Sequence, residues 1–308
     1  MSEARIVVVG SSNTDMVVQS RRIPAPGETI LGGKFVMAAG GKGANQAVAA
    51  ARLGASVTFV ARVGNDVFGR DALANFEKEG IDTRFIAIDP AEPSGVALIM
   101  VDEKGENCIS VAPGANSRLS PDDVRRARSA IEQADVLLVQ LEIPLETVEA
   151  AAELAAGAGT RVVLNPAPAQ SLPERLLRRV DVLTPNETEA THLAGIRVSG
   201  EDSWALAACV LRQQGVETVV ITRGAAGAFL SGAEGESGVP TAAITPVDTT
   251  GAGDSFNAAL AVALAEGRDM ASAVRFANLA GACSATRLGA QPSLPTREDL
   301  DRFIASCN

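Results

Sequence analysis

The sequence contains no tyrosine, one tryptophan (Trp204) and one histidine (His192), and aromatic residues make up 3% of its 308 positions. Reading single-stranded nucleic acid by base stacking needs more aromatic faces than this. Duplex binding needs a basic patch, whereas Asp and Glu outnumber Lys and Arg by 37 to 27, a net charge of −10, with no long Lys/Arg cluster. Nucleic acid is therefore excluded as a partner. No apolar run reaches the roughly 18–20 residues that cross a bilayer, so no membrane association is expected. The first residues, with Ile6-Val7-Val8-Val9 after a single arginine, lack the basic start, long apolar stretch and cleavage site of a secretory signal. Cys108, Cys209, Cys283 and Cys307 form no CxxC pair, and His192 has no cysteine near it, which argues against zinc. Free thiols in a reducing cytoplasm are expected, with His192 a structural residue on a helix.

What is present is alternation. Short β-branched runs (Ile6–Gly10, Val57–Ala61, Val96–Val101, Val136–Leu141, Arg161–Leu164, Val182–Leu183, Thr218–Thr222) are separated by Ala-rich helical stretches (Ala44–Leu53, Phe68–Glu79, Asp122–Glu132, Leu145–Ala156, Trp204–Gln214, Asp254–Ala265, Met270–Thr286, Glu298–Ala305). This pattern predicts an α/β fold of buried parallel strands with helices on both faces. Two regions break the rhythm. Met16 to Ala39 and Ser94 to Val111 are strand-like with no helical period, and predict a small antiparallel sheet outside the main one.

Five polar loops stand out, nearly all of them just after a predicted strand, on the face where such sheets bind ligands. Gly40-Gly41-Lys42-Gly43-Ala44-Asn45 opens a helix, where glycines admit close backbone approach and Lys42 and Asn45 can hold hydroxyls; it lacks Walker A spacing, and a structural turn is the alternative. Asp248-Thr249-Thr250-Gly251-Ala252-Gly253-Asp254 is the stronger cluster. Its bare amides suit the charge of a transferring phosphoryl group, and Asp254 is either a helix cap or a proton acceptor. Asn186 and Glu189 form a capping box or a place for hydrated Mg²⁺. Thr222, Gly224 and Gly227 end a strand, and Asn13 and Asp15 make either an Asx-turn or a diol grip, with Glu142 as a further polyol contact.

Gly-Gly-Lys-Gly-Ala-Asn-Gln-Ala at 40–47 and Asp-Thr-Thr-Gly-Ala-Gly-Asp at 248–254 resemble the two signature regions of the ribokinase/PfkB family of carbohydrate kinases. Asn165-Pro166-Ala167-Pro168, Thr184-Pro185-Asn186-Glu187-Thr188-Glu189 and Gly289-Ala290-Gln291-Pro292-Ser293 extend the resemblance along the chain. It implies a ribokinase-like three-layer fold, with a mostly parallel central sheet flanked by helices. It also implies one kinase domain over 1–308, with an inserted antiparallel β lid at about 16–39 and 94–111.

The implied reaction is ATP-dependent phosphorylation of D-ribose at O5. Asp254 is the implied base, and the amides of Gly251, Ala252, Gly253 and Asp254 the anion hole. Asn13, Asp15, Gly41, Lys42, Asn45 and Glu142 would contact the sugar. Asn186, Thr222, Gly224, Gly227, Gly253 and Asn278 would contact the nucleotide. Glu189 is linked to Mg²⁺, and Asp248, Thr250, Ser284, Arg287, Gly289 and Ser293 match a loop for an activating K⁺. The lid implies a homodimer contact. Another sugar or nucleoside (2-deoxyribose, fructose, adenosine) and a non-catalytic sugar-binding regulator on the same fold stay open as alternatives. Arg223 and Ala225-Ala226 do not decide between ATP and GTP.

Overall fold

Strand Arg5–Val9 reads as an unbroken apolar run because both of its faces are covered. In the computed structural model, which describes residues 4–307, Ile6 and Val8 enter one core and Val7 and Val9 the other. Among the described residues this strand belongs to a nine-stranded sheet. From edge to edge it runs Gly235–Val239, Ala228–Gly232, Thr218–Thr222, Val182–Leu183, Arg161–Leu164, Val136–Val139, Arg5–Val9, Ser56–Gly64 and Ile86–Asp89. All pairings are parallel except those of Ala228–Gly232 with its two neighbours.

Two helical layers cover the sheet. Helices Lys42–Arg52, Ala252–Ala265, Met270–Ala285 and Arg297–Ser306 share the core of Ile6 and Val8. Helices Pro121–Arg126, Leu145–Ala158 and Glu201–Gln213 share that of Val7 and Val9. Helix Ala252–Ala265 is buried on every side from Asp254 to Leu264. It runs beneath the sheet and against Met270–Ala285, and its alanines permit that close packing.

The small sheet comprises Lys34–Gly40, Asn13–Gln19, Gly95–Val101 and Asn107–Ala112. Its two hairpin pairings are antiparallel as expected, and a parallel pairing of Asn13–Gln19 with Gly95–Val101 joins them. Register puts Asp15 beside Ala38 and Ala97, on the same face as Val36, Ile109 and Val111. Val18, Phe35, Met37 and Leu98 fall on the opposite face, where Phe35 is 61% and Leu98 54% exposed.

The expected helix Asp122–Glu132 is two helices, Pro121–Arg126 and Arg128–Gln133, because the buried Ala127 leaves helical geometry between them. Strands Ile86–Asp89, Ala228–Gly232 and Gly235–Val239 were not expected, being short or glycine-rich edge strands. His192 is exposed on helix Glu187–Ala194. Among the described residues no helix is long and apolar enough to cross a membrane.

Candidate active site

Helix Ala252–Ala265 starts two residues before the expected position. Gly251 is its N-cap, at φ 78°, a conformation that strains any residue with a Cβ. Asp254 therefore does not cap the helix; it stands on the first turn with its carboxylate turned to helix Lys42–Arg52. Asn45 Nδ2 donates to Asp254 Oδ2 at 2.9 Å, and Gln46 Nε2 donates to Oδ1 at 3.0 Å. Only 8% of Asp254 is exposed. Burial pushes its pKa up, the Lys42 charge and the two amide donors pull it back, and Glu142 pushes it up again. Beside it, the Gly251, Gly253 and Asp254 amides have no acceptor among the described residues, whereas that of Ala252 donates to Thr249 O at 3.2 Å. The anion hole expected over Gly251–Asp254 is thus corrected by one amide: the Ala252 N–H closes the turn instead.

The predicted sugar contacts converge next to Asp254. Asp15 accepts no hydrogen bond from the described residues, and its pKa is raised to about 6 by burial and by the charges of Glu142 and Asp254. Glu142 Oε2 accepts from Ser11 Oγ at 2.6 Å and from the Lys42 amide at 3.1 Å, which ties the first strand's loop to the glycine loop. Gly41 sits at φ 88°, and a Cβ there would lie 2.7 Å from the Asn13 amide nitrogen. Lys42 forms no ion pair among the described residues, and Asn45 Oδ1 is buried without a partner. A desolvated carboxylate, a free ammonium and an orphaned amide oxygen together suit a polyol.

Two cavities meet at the helix start. One, of about 220 Å³, is lined by Lys42, Asn165, Thr184, Asn186, Glu189, Gly251 and Asp254, among others. The other, of about 470 Å³, is lined by Gly224, Gly227, Ala242, Ile244, Pro246, Asn278, Gly281 and Ala285, among others. Thr222, Thr249 and Gly253 line both. Asn278 borders the larger cavity, but its Nδ2 donates to Val239 O at 2.9 Å, so the amide nitrogen braces the cavity wall.

The capping box at Asn186 and Glu189 is real: Asn186 Oδ1 accepts from the Glu189 amide at 2.8 Å, and Glu189 Oε2 from the Asn186 amide at 2.9 Å. The same carboxylate faces the cavity, where burial raises its pKa against the pull of the Asn186 amide and Lys42. With Glu189 and Asp254 as its only carboxylates, this cavity suits a hydrated Mg²⁺ that takes most of its ligands from water and phosphate. Asp248 Oδ1 accepts from the Thr250 amide at 2.9 Å and Oδ2 from the Gly289 amide at 2.8 Å, joining the two loops expected to hold K⁺. Ser284 and Ser293 pair through their hydroxyls at 2.7 Å. The Arg287 guanidinium is bound to Asp299 at 3.0 Å, which leaves its backbone as the part available to a cation loop. These hard oxygens suit a weakly held monovalent cation.

The sequence profile of the pfkB family carbohydrate kinases matches residues 3–297. The chain belongs to that family. It is 46% identical to the ribokinase of Haemophilus influenzae over 299 residues, 97% of this chain and 98% of that one. It is 37% identical to the deoxyribokinase of Salmonella typhimurium over 301 residues, again 97% of this chain and 98% of that one. The structure of Arabidopsis thaliana ribokinase complexed with ribose and ATP superposes with a TM-score of 0.89 at 33% identity, covering 98% of this chain and 99% of that one.

In this pfkB-family kinase several polar residues near the site escaped sequence reasoning. Gln46 touches Asp254, and Gln140 Nε2 donates to Gln46 Oε1 at 2.6 Å. Asn116 Nδ2 donates to Asn13 Oδ1 at 2.7 Å from a 3₁₀ turn whose sequence carries no signal. A Cβ on Gly40 would run into the Asp15 carboxylate. Gln46 and Gly40 lie inside the quoted glycine motif, so attention to every polar or glycine position there would have found them.

Proposed function

We propose that this chain transfers the γ-phosphoryl group of ATP to O5 of D-ribose. One observation carries the reading: a buried carboxylate, held by two amide donors, lines one of two adjoining cavities and stands beside three amides without acceptors among the described residues. Asp254 takes the proton of the O5 hydroxyl as that oxygen bonds to the γ-phosphorus, and the bond from phosphorus to the ADP oxygen breaks. The Gly251, Gly253 and Asp254 amides stabilise the charge on the phosphoryl oxygens. Asn13, Asp15, Gly41, Lys42, Asn45 and Glu142 orient the sugar, while Asn186, Thr222, Gly224 and Gly227 face the nucleotide. Mg²⁺, near Glu189, supplies charge neutralisation on the phosphates when bound. The relatives' names and the ribose and ATP of the Arabidopsis complex support this assignment. The deoxyribokinase relative favours 2-deoxyribose as the second reading. A coupled assay over ribose, 2-deoxyribose, fructose and adenosine decides, with ribose expected to give the highest kcat/KM; a higher value for 2-deoxyribose would reassign the substrate.

A K⁺ ion between the Asp248 and Gly289 loops would hold the turn that presents the Gly251 amide. Exchanging potassium for tetramethylammonium is expected to lower kcat at least about tenfold, the range for one weakened anion-hole contact. Equal initial rates in the two salts would remove K⁺ from the account.

The small sheet, about 16–39 and 94–111, acts as a lid whose Asp15 face closes on the sugar and excludes water. Its opposite face, with Val18, Phe35, Met37 and Leu98, pairs with a second copy to form a homodimer. Sedimentation velocity is expected to show a dimer that becomes monomeric in the double variant Met37→Asp, Leu98→Asp; an unchanged dimer would place the contact elsewhere. Four free cysteines support a cytoplasmic setting.

A further inference from the structure

A line of buried amides runs behind the Asp254 carboxylate. Gln140 Nε2 donates to Gln46 Oε1 at 2.6 Å. Gln46 Nε2 in turn donates both to Asp254 Oδ1 at 3.0 Å and to Asn165 Oδ1 at 3.1 Å. Asn165 Nδ2 donates to Thr184 O at 3.4 Å, which leaves its oxygen free to accept from Gln46. Gln46 is fully buried and Gln140 is 1% exposed. Gln140 Oε1 has no partner among the described residues, and Gly10 leaves it room, since a Cβ there would collide with it. A buried orphan oxygen is a cost that a purely structural network would avoid.

We propose that Gln140 and Gln46 are positioning residues for the base: Gln140 locks the Gln46 amide so that its NH₂ faces Asp254 and holds that carboxylate in its proton-accepting form. The inference rests on the kinase reading above and adds to it. If the Gln46 amide turned over, its carbonyl would face Asp254 Oδ1, an arrangement stable only when Asp254 carries a proton. Gln140 opposes that turn by presenting a donor to Gln46 Oε1. The other charged groups that act on Asp254 are Lys42 and Glu142, with Asp15 coupled to it from the small sheet. None of these touches Gln46 or Gln140 through a hydrogen bond.

The test is the pH profile of kcat at saturating sugar and ATP, where Asp15 is engaged by bound hydroxyls. Gln140→Met has nearly the same volume; it removes one orphan oxygen but leaves Gln46 Oε1 without its donor, so a small fall in thermal stability is expected and the limbs of the profile carry the test. Its acidic limb is expected to move up by about one pH unit, the order expected for a weakened hydrogen bond to a charged group, with the plateau within about threefold of wild type. Gln140→Glu is expected to behave with the opposite sign. Its new carboxylate, once ionised, accepts from the Gln46 NH₂ and turns the Gln46 carbonyl to Asp254, so kcat falls about tenfold or more as pH rises. A merely structural pair would give a uniform loss with a lowered melting temperature and unmoved limbs. Profiles superimposable on wild type in both variants would overturn the proposal. A wild-type chain that phosphorylates no sugar would instead overturn the kinase reading itself.

Discussion

Asp254→Asn is expected to lower kcat by about three to four orders of magnitude, the upper part of the range for losing a general base, while sugar affinity changes less than about threefold. The reason is geometric. Asn45 and Gln46 each donate to one carboxylate oxygen, and an asparagine can keep one of these contacts but cannot take a proton. Its amide presents donors to neighbours that are themselves donors, so the buried Gln46 NH₂ or Asn45 NH₂ loses its acceptor. Burial makes the native carboxylate a stronger base than an exposed one, while Lys42 and the two donors pull its pKa part of the way back. Rapid-quench measurement of the transfer step, with sugar binding followed by calorimetry, separates the two effects. Loss of sugar binding in parallel with rate would make Asp254 a binding residue only.

Asp15→Asn is expected to change stability and catalysis in opposite directions. The Asp15 carboxylate lies beside Glu142 and Asp254 with no donor of its own, and its pKa is raised to about 6. An unfolded-chain aspartate titrates near 3.9. The folded state therefore binds this proton more tightly, so the charge costs stability fully above about pH 6 and not at all below about pH 4. Removing it is expected to raise the stability of the sugar-free protein at pH 7.5 by on the order of 2 kcal/mol, or a few degrees in Tm, and to do nothing below pH 4. The same change removes two charged acceptors for hydroxyls and is expected to lower kcat/KM for ribose roughly 100-fold or more, mainly through KM. Differential scanning fluorimetry at the two pH values, together with sugar titrations, checks both halves. A Tm that falls at pH 7.5 would show that Asp15 holds the fold rather than the ligand.

The parallel sheet was legible because strands such as Arg5–Val9 and Val136–Val139, buried on both faces, need continuous β-branched runs. The small sheet was legible as an interruption, since neither of its segments carries a helical period. The edge strands Ala228–Gly232 and Gly235–Val239 were not, because glycine and serine supply half of their positions and no alternation survives. The site divides in the same way. Gly41, Lys42, Asn45 and Asp254 stand in local clusters whose spacing is visible along the chain. Asp254 meets Gln46 across 208 positions, and Gln46 meets Gln140 across 94, so their pairing depends on the sheet order and no local pattern records it. The start of helix Ala252–Ala265 was misplaced for a related reason. An aspartate looks like a cap in sequence, but the positive φ of Gly251 makes the glycine the cap and frees the carboxylate for the site.

Phosphoryl transfer in this chain depends on a sugar hydroxyl meeting a nucleotide phosphate at Asp254. Incubating the purified chain with ATP, D-ribose, Mg²⁺ and K⁺, and reading the product by ³¹P and ¹³C NMR, tests this most directly. Stoichiometric ADP and a phosphate coupled to C5 of ribose are the expected result. ADP without a sugar phosphate, or a phosphate on the anomeric oxygen, would contradict it.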